Sequence, residues 1–453
     1  VEQIKRRTLA ALAAPAVPMS ALTLPLVTFI PEHYANALGM NLAVVGLTFM
    51  AVRLLDIGFD PVIGALMDRT RTRWGRFRPW LAGGIPLVMV GTGMLFFAPQ
   101  SVGPLYLLVA LLITYAGYSV VTLAQLALLA CVSTSYDVRS RIFSWWQAAT
   151  TGGIIVVMLL PTLLGGTVAL GIVALMGASI LITTPIGIGI ALWGVNDTSL
   201  PPPSPRATLG NYLALFKLTS TRRLMSAELL LGLVTGIAAT TGLIYIVAVK
   251  QLTPQQYGTM VLVYFLIAIA SSPLWTMVAK RMEKHRALML AAASYIVYLA
   301  LIWFVPPGRL DLVLLVSVFG GVSFTASSLL PRAMLADIAD EERLVHGADR
   351  TGLLYALLTG IYKVGQAMSV GIAFVLLDLF GFDAKAGAAN PPDAILGVAL
   401  VYVVLTSLCA AAALLTMIGY PLTAARHREI QAASADDERV AAGDEAGVVA
   451  VKV

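Results

Sequence analysis

An all-α membrane protein with twelve spanning helices in two halves of six is the architecture this sequence predicts, and three observations predict it. Of 453 residues, 58% are apolar and only 12% charged, where a soluble domain carries about 25% charged residues. Mean hydropathy is +0.86. Twelve apolar stretches, each long enough to cross a bilayer as a helix, are interrupted midway by one polar, proline-rich segment.

Taken in order, the apolar stretches cover about residues 8–31, 42–67, 80–99, 104–132, 143–164 and 168–195, then 224–249, 257–279, 287–305, 310–334, 353–380 and 394–421. Lys5, Arg6 and Arg7 lead into the first without a small-residue cleavage site, so it reads as a spanning helix and not as a removed signal. Residues 196–223, with Pro201, Pro202, Pro203 and Pro205, form the linker between halves 1–195 and 224–421. Six plus six with a central linker is the major-facilitator plan. Basic residues assign the sides. One set of loops holds Lys5 to Arg7, Arg69 to Arg78, Arg139 and Arg141, Arg206 to Arg223, Lys280 to Arg286, and Arg332, Arg343 and Arg350; the other holds Lys250, Arg309 and Lys385. The rich side, with both termini, is expected to be cytoplasmic, in a plasma membrane or bacterial inner membrane. Residues 422–453 mix charge with Ala and Gly and are expected to be a disordered tail. Cys131 and Cys409 both fall in apolar stretches and read as packing residues.

Charges inside apolar stretches are costly and mark function. Arg53, Asp56 and Asp60 fall within roughly a 60° arc of one helix. Asp60 and Asp56 precede Asp68 by 8 and 12 residues, about 12 and 18 Å of helix, which is near mid-depth. Two carboxylates one turn apart offer hard oxygens to Na⁺ or a proton; the alternative is an ion-pair cluster with Arg53 that only locks helices. Pro61 either frees a carbonyl beside Asp60 or only kinks the helix. Lys363, about ten residues into the eleventh stretch, needs a partner: Asp56 and Asp60 are the candidates, with snorkelling to the interface as the alternative. Glu228 reads as interfacial.

Gly64 and Asp68-Arg69, followed by Arg71, Arg73, Arg76 and Arg78, resemble the major-facilitator loop signature between helices 2 and 3, a gate motif; the same arginines also serve as a topological anchor. With Pro31-Glu32-His33-Tyr34 through Gly39, Arg53 through Asp56, Asp60-Pro61, Tyr136-Asp137 with Arg139 and Arg141, and Ala333-Met334 with Asp337, Gly347, Arg350, Gly352 and Lys363, the chain resembles the glycoside-pentoside-hexuronide:cation symporters, whose best-known members are melibiose-type carriers. The resemblance implies a Na⁺, Li⁺ or H⁺ site at Asp56 and Asp60, faced by Lys363, with Arg139 or Arg141 as the basic residue after helix 4.

Melibiose-type carriers hold sugar with acidic residues in helices 1 and 4 and an arginine in helix 5. Here the matching positions fall near Ser20, Thr122 and Gln147, neutral groups that bond a sugar more weakly than carboxylates do. Tyr118, Gln125, Tyr355, Tyr362 and Gln366 are further cavity candidates, as are Tyr115, Trp145, Trp146, Tyr245 and Tyr264, since stacking and amide or hydroxyl bonds suit a glycoside. Each taken singly fits packing or the interfacial belt better than a ligand role. The four histidines, His33, His285, His346 and His427, are placed in loops or tail and form neither metal cluster nor triad. No phosphate-binding Gly-rich loop and no grouped nucleophile and base occur, which argues against ATP as energy source and against an enzyme.

The expectation is a cation-coupled sugar or glycoside symporter without cofactor, a monomer in the bilayer with a small-molecule solute and no nucleic-acid partner. A lysolipid or other amphiphile is the alternative cargo. A transporter-like sensor or scaffold acting through its tail is the alternative from another class.

Overall fold

The computed structural model describes residues 5–132, 136–164, 171–195, 215–346, 351–384, 389–423, 425–427 and 429–430. Among these, eleven helices are long and apolar enough to cross a membrane, or twelve if a pair bent by 43° is one span. The first half holds α1 (Arg6–Ala13), α2 (Ala16–Asn36), α3 (Leu42–Arg69), α4 (Arg78–Phe96), α5 (Pro104–Cys131), α6 (Tyr136–Leu164) and α7 (Ile172–Gly194). The second holds α8 (Thr219–Ile244), the bent pair α9 (Pro254–Ala270) and α10 (Ser272–Met282), α11 (Lys284–Phe304), α12 (Leu310–His346) and α13 (Thr351–Leu379). Its last span is α14 (Pro392–Ala399) and α15 (Thr406–Met417), joined by a π-helical stretch, Leu400–Leu405.

Local chemistry accounts for the breaks. Pro15 follows the end of α1, and the helix of the first spanning segment is interrupted there; Gln125 Nε2 of α5 donates to the buried Leu12 carbonyl at 2.9 Å. Asn41 caps α3 by accepting from the Val44 amide at 3.1 Å. Thr253 and Gln256 form a reciprocal capping box at the start of α9, with Pro254 in the first turn.

Several boundaries differ from the expectation. The central linker is shorter at its C-terminal side: Leu215, Ser220 and Thr221 are buried and α8 starts at Thr219. The segment expected to be a disordered tail begins with packed residues, since Leu422 and Ile430 are buried and His427 reaches Asp340 at 2.9 Å; its remainder lies outside the described residues. His33, His285 and His346 sit in helical turns and not in loops.

The halves meet at the end opposite the basic loops. Gly371 of α13 approaches Met50 of α3 so closely that an added Cβ would lie 2.5 Å from the sulfur. Nearby, Asn41 Nδ2 donates to Asp378 at 2.7 Å, and Phe29 of α2 packs on Tyr257 of α9 at 6.0 Å between centroids. The main apolar cluster runs through the first half and enters the second through residues such as Tyr257, Phe374 and Val401. Second-half residues nearer the basic end, among them Leu224, Trp275, Met334 and Leu354, form a separate cluster. Between the halves at that end lies a groove of about 1210 Å³ lined by Phe143, Gln147 and Thr151 of α6 and Ile269 of α9. Close contacts between the halves thus gather at the end opposite the basic loops, and the groove between α6 and α9 lies at the basic end.

Candidate functional site

Helix α3 carries Arg53, Asp56 and Asp60 past α5 on one side and α13 on the other. Lys363 Nζ of α13 contacts Asp60 Oδ2 at 2.5 Å, joining the two halves through a partly buried ion pair. Asp60 Oδ1 is buried without a hydrogen-bond partner. Asp56 Oδ1 accepts from Ser119 Oγ of α5 at 2.7 Å. Arg53 turns toward α5, donating from Nε to the Tyr115 hydroxyl at 2.6 Å with its guanidinium 5.5 Å from that ring's centroid. The charges whose fields meet at Asp56 are those of Asp60, Lys363 and Arg53.

A cavity of about 530 Å³ borders this cluster. Arg53, Asp56, Ile57, Tyr115 and Tyr118 line one wall, Lys363 and Gln366 the facing one, with Thr23 and Leu26 of α2 between. Pro61 lies inside an unbroken α3 and removes the amide that would bond the Ile57 carbonyl. That carbonyl belongs to a residue of the cavity wall. Asp56, which accepts from Ser119, and the unpartnered Asp60 oxygen are hard-oxygen groups of the kind a small monovalent cation or a proton uses. Among the described residues, no group of three or more His, Cys, Asp or Glu side chains is arranged to hold a metal.

The structure gathers some of the residues expected at the site and disperses others. Arg53, Asp56, Asp60, Lys363, Tyr118 and Gln366 come together, and Tyr362 joins them through its hydroxyl, which accepts from Gln366 Nε2 at 3.3 Å. Ser20, by contrast, is 6% exposed, bonds back to the Val17 carbonyl and packs where α6 crosses at Gly153. Thr122 donates to the carbonyl of Tyr118, one turn earlier on its own helix, and Gln125 is spent on Leu12. These bonds tie the three side chains to backbone, while each hydroxyl keeps its acceptor lone pairs and Gln125 Oε1 is buried without a partner. Tyr355 lies near the basic end, its hydroxyl on the Arg332 carbonyl at 3.2 Å, and Gln147 lines the open groove.

The loop residues are separated likewise. Gly64 has open space where a Cβ would stand, so it makes no close helix approach here. Arg69, Arg73 and Arg141 are exposed, and α3 ends in the turn carrying Asp68. The side chains of Asp68 and Arg139, and all of Arg350, lie outside the described residues. Asp337 forms an ion pair with Lys284 of α11 at 2.6 Å, 3.6 Å from the His427 ring. Burial, with the nearby carboxylates of Glu341 and Asp337, pushes the adjoining Tyr420 phenol up.

Sequence reasoning passed over Ser119 and Thr23, small hydroxyls with no neighbouring charge to draw notice. It also placed Glu228 at the interface, whereas it is 5% exposed, with Oε2 unpartnered.

With the geometry established, likeness to other proteins gains meaning. Residues 11–424 match the family described as MFS/sugar transport protein. An uncharacterized symporter of Synechocystis is 23% identical over 92% of this chain and 93% of its own length. A glucuronide carrier protein homolog of Escherichia coli is 23% identical over 89% of each chain. Among solved structures, the nucleoside transporter NupG superposes with a TM-score of 0.65 at 16% identity, over 92% of this chain and 100% of its own. A bacterial homolog of the human lysosomal transporter Spinster, in an inward-facing and unoccupied conformation, gives 0.69 at 12% identity over 92% and 98%. The twelve-helix plan, the charged cluster on α3 and a family match over nearly the whole length agree: the chain belongs to the MFS/sugar transport protein family, on its glycoside-pentoside-hexuronide branch.

Proposed function

We propose that the protein is a secondary symporter that couples Na⁺ or H⁺ to uptake of a sugar or glycoside by alternating access, working as a monomer with its basic end in the cytoplasm. The observation that carries this reading is the Lys363–Asp60 pair, which bridges the two halves at the wall of the central cavity beside a second carboxylate.

A cation arriving at Asp60 and Asp56 competes with Lys363 for the same oxygens. Bound, it neutralises the carboxylates and frees the ammonium and Gln366 to meet the solute; unbound, Lys363 satisfies the pair and lets the empty carrier return. Coupling then follows from differential affinity, since each ligand favours the state the other stabilises. The Tyr115–Arg53 contact holds the guanidinium against α5, where its charge faces the cavity without competing for Asp60.

In proteoliposomes, Asp56→Asn and Asp60→Asn are expected to abolish gradient-driven solute accumulation, measured with labelled sugars under an inward Na⁺ or proton gradient. Normal accumulation by either variant would refute the site. A second reading, carriage of a lysolipid or other amphiphile, draws support from the apolar chamber described next.

A further inference from the structure

A second chamber, about 800 Å³, lies in the other half against the polar cavity. Its walls are ring-rich: Tyr257, Tyr264, Tyr295, Tyr298, Phe265 and Phe324 all line it. Tyr264 meets Phe265 and Phe324 edge-on, with centroids 5.6 and 5.7 Å apart, and Phe265 meets Phe324 likewise at 5.5 Å. The Tyr298 hydroxyl is engaged with that of Tyr402 at 3.1 Å. Those of Tyr264 and Tyr295, both partly accessible, bond to no other described residue.

Two links join this chamber to the polar cavity. On α2, Thr23 lines the cavity and Leu24, its neighbour, lines the chamber. On the opposite side, Thr235 lines the chamber and shares a 2.9 Å hydrogen bond with the Tyr362 hydroxyl, which also accepts from Gln366 of the cavity. This hydroxyl and amide relay lies between the charged cavity and the ring-lined chamber. A free sugar would leave the ring walls uncovered, and aliphatic walls would serve an alkyl chain as well; stacked and edge-on ring faces select flat partners.

Resting on the symporter reading above, we propose that the chamber is an aglycone site and that the cargo is a glycoside with a flat aromatic or fused-ring aglycone. The sugar lies against Arg53, Asp56 and Gln366, and the aglycone lies between Tyr264 and Tyr295 with their hydroxyls available to its polar substituents.

The test uses the full chain in proteoliposomes with methyl, octyl and naphthyl glycosides of glucose, galactose, xylose and glucuronic acid, read as apparent affinity. For whichever sugar is carried, the naphthyl glycoside is expected to bind about tenfold or more tightly than the methyl one, as its buried apolar area implies. The octyl form is expected to fall short of the naphthyl. Ala238→Trp, which fills the chamber, and Tyr264→Leu, which strips one wall, should shrink the naphthyl-to-methyl ratio toward one. If neither variant folds, judged by size-exclusion profile, the wild-type series decides alone. A methyl glycoside carried with no naphthyl preference, or with the octyl form favoured, overturns the aglycone site and leaves the symporter reading standing. Failure to carry any member overturns both.

Discussion

At the scale of single residues, the molecule is organised around charges that a bilayer rejects unless they are paired. Lys363 and Asp60 compensate each other's charge, so removing one member leaves the other without its counter-charge. Lys363→Ala is therefore expected to lose uphill accumulation, because the empty carboxylates lack a counter-charge for the return, while cation-bound exchange of solute persists. Counterflow and net-uptake assays side by side measure the difference, and parallel loss of both would contradict it. A second lysine shows burial of another kind. Lys250, 3% exposed, donates to the carbonyls of Trp303 and Val305 at 3.1 and 2.6 Å, and burial pulls its pKa down to about 8. Between about pH 8 and 10.5 the unfolded chain holds a proton the folded one has released, so stability rises with pH across that window. Melting in detergent should show that rise in the wild type and a flatter profile in Lys250→Met. Arg53, Asp56, Asp60 and Lys363 were legible in the sequence because a charge in hydrocarbon has few explanations. Ser20, Thr122 and Gln125 were harder to place because a hydroxyl or amide in a helix can bond a backbone carbonyl, and sequence does not reveal which ones have done so.

At the scale of elements, α13 is the helix on which the site depends, since it packs against both α8 and α3. Its approach to α8 depends on Gly232, where an added Cβ would stand 2.5 Å from the Tyr362 carbonyl and 3.2 Å from Gly365. Any larger side chain must push α13 away, carrying the neighbouring Lys363 with it. Gly232→Leu is expected to cost about 1–3 kcal/mol of stability by overpacking and to depress transport, read as a lower melting temperature and a lower uptake rate. Gly83→Ala, on α4 with nothing within 4 Å of the added carbon, is the control expected to leave both near wild type. Helix number and order were plain from hydropathy alone, whereas this crossing was not, because small residues in an apolar stretch mark a close approach without naming its partner. The ring-walled chamber was hidden for a related reason: Tyr257, Tyr264, Tyr295 and Tyr298 come from two helices, α9 and α11, and each alone resembles ordinary packing.

At the scale of the whole molecule, two six-helix halves touch through α2, α3, α6, α8, α9 and α13, with close contacts at the end opposite the basic loops and the groove at the basic end. The ion pair joins α3 of one half to α13 of the other, so a change in the charge state of Asp60 acts where the halves touch. Sequence supplied the division into halves because the linker is polar and proline-rich, but it could not supply the conformation, which depends on contacts such as Asn41 with Asp378 across 337 positions of chain. The account stands on competition between a cation and Lys363 for Asp60. Titration of Na⁺, and separately of protons, into the purified full chain and its Asp60→Asn and Lys363→Ala variants, followed by calorimetry and tryptophan fluorescence, measures that competition. Saturable binding of one of these cations to the wild type, lost in Asp60→Asn and tighter in Lys363→Ala, is the predicted result; equal binding by all three proteins would contradict it.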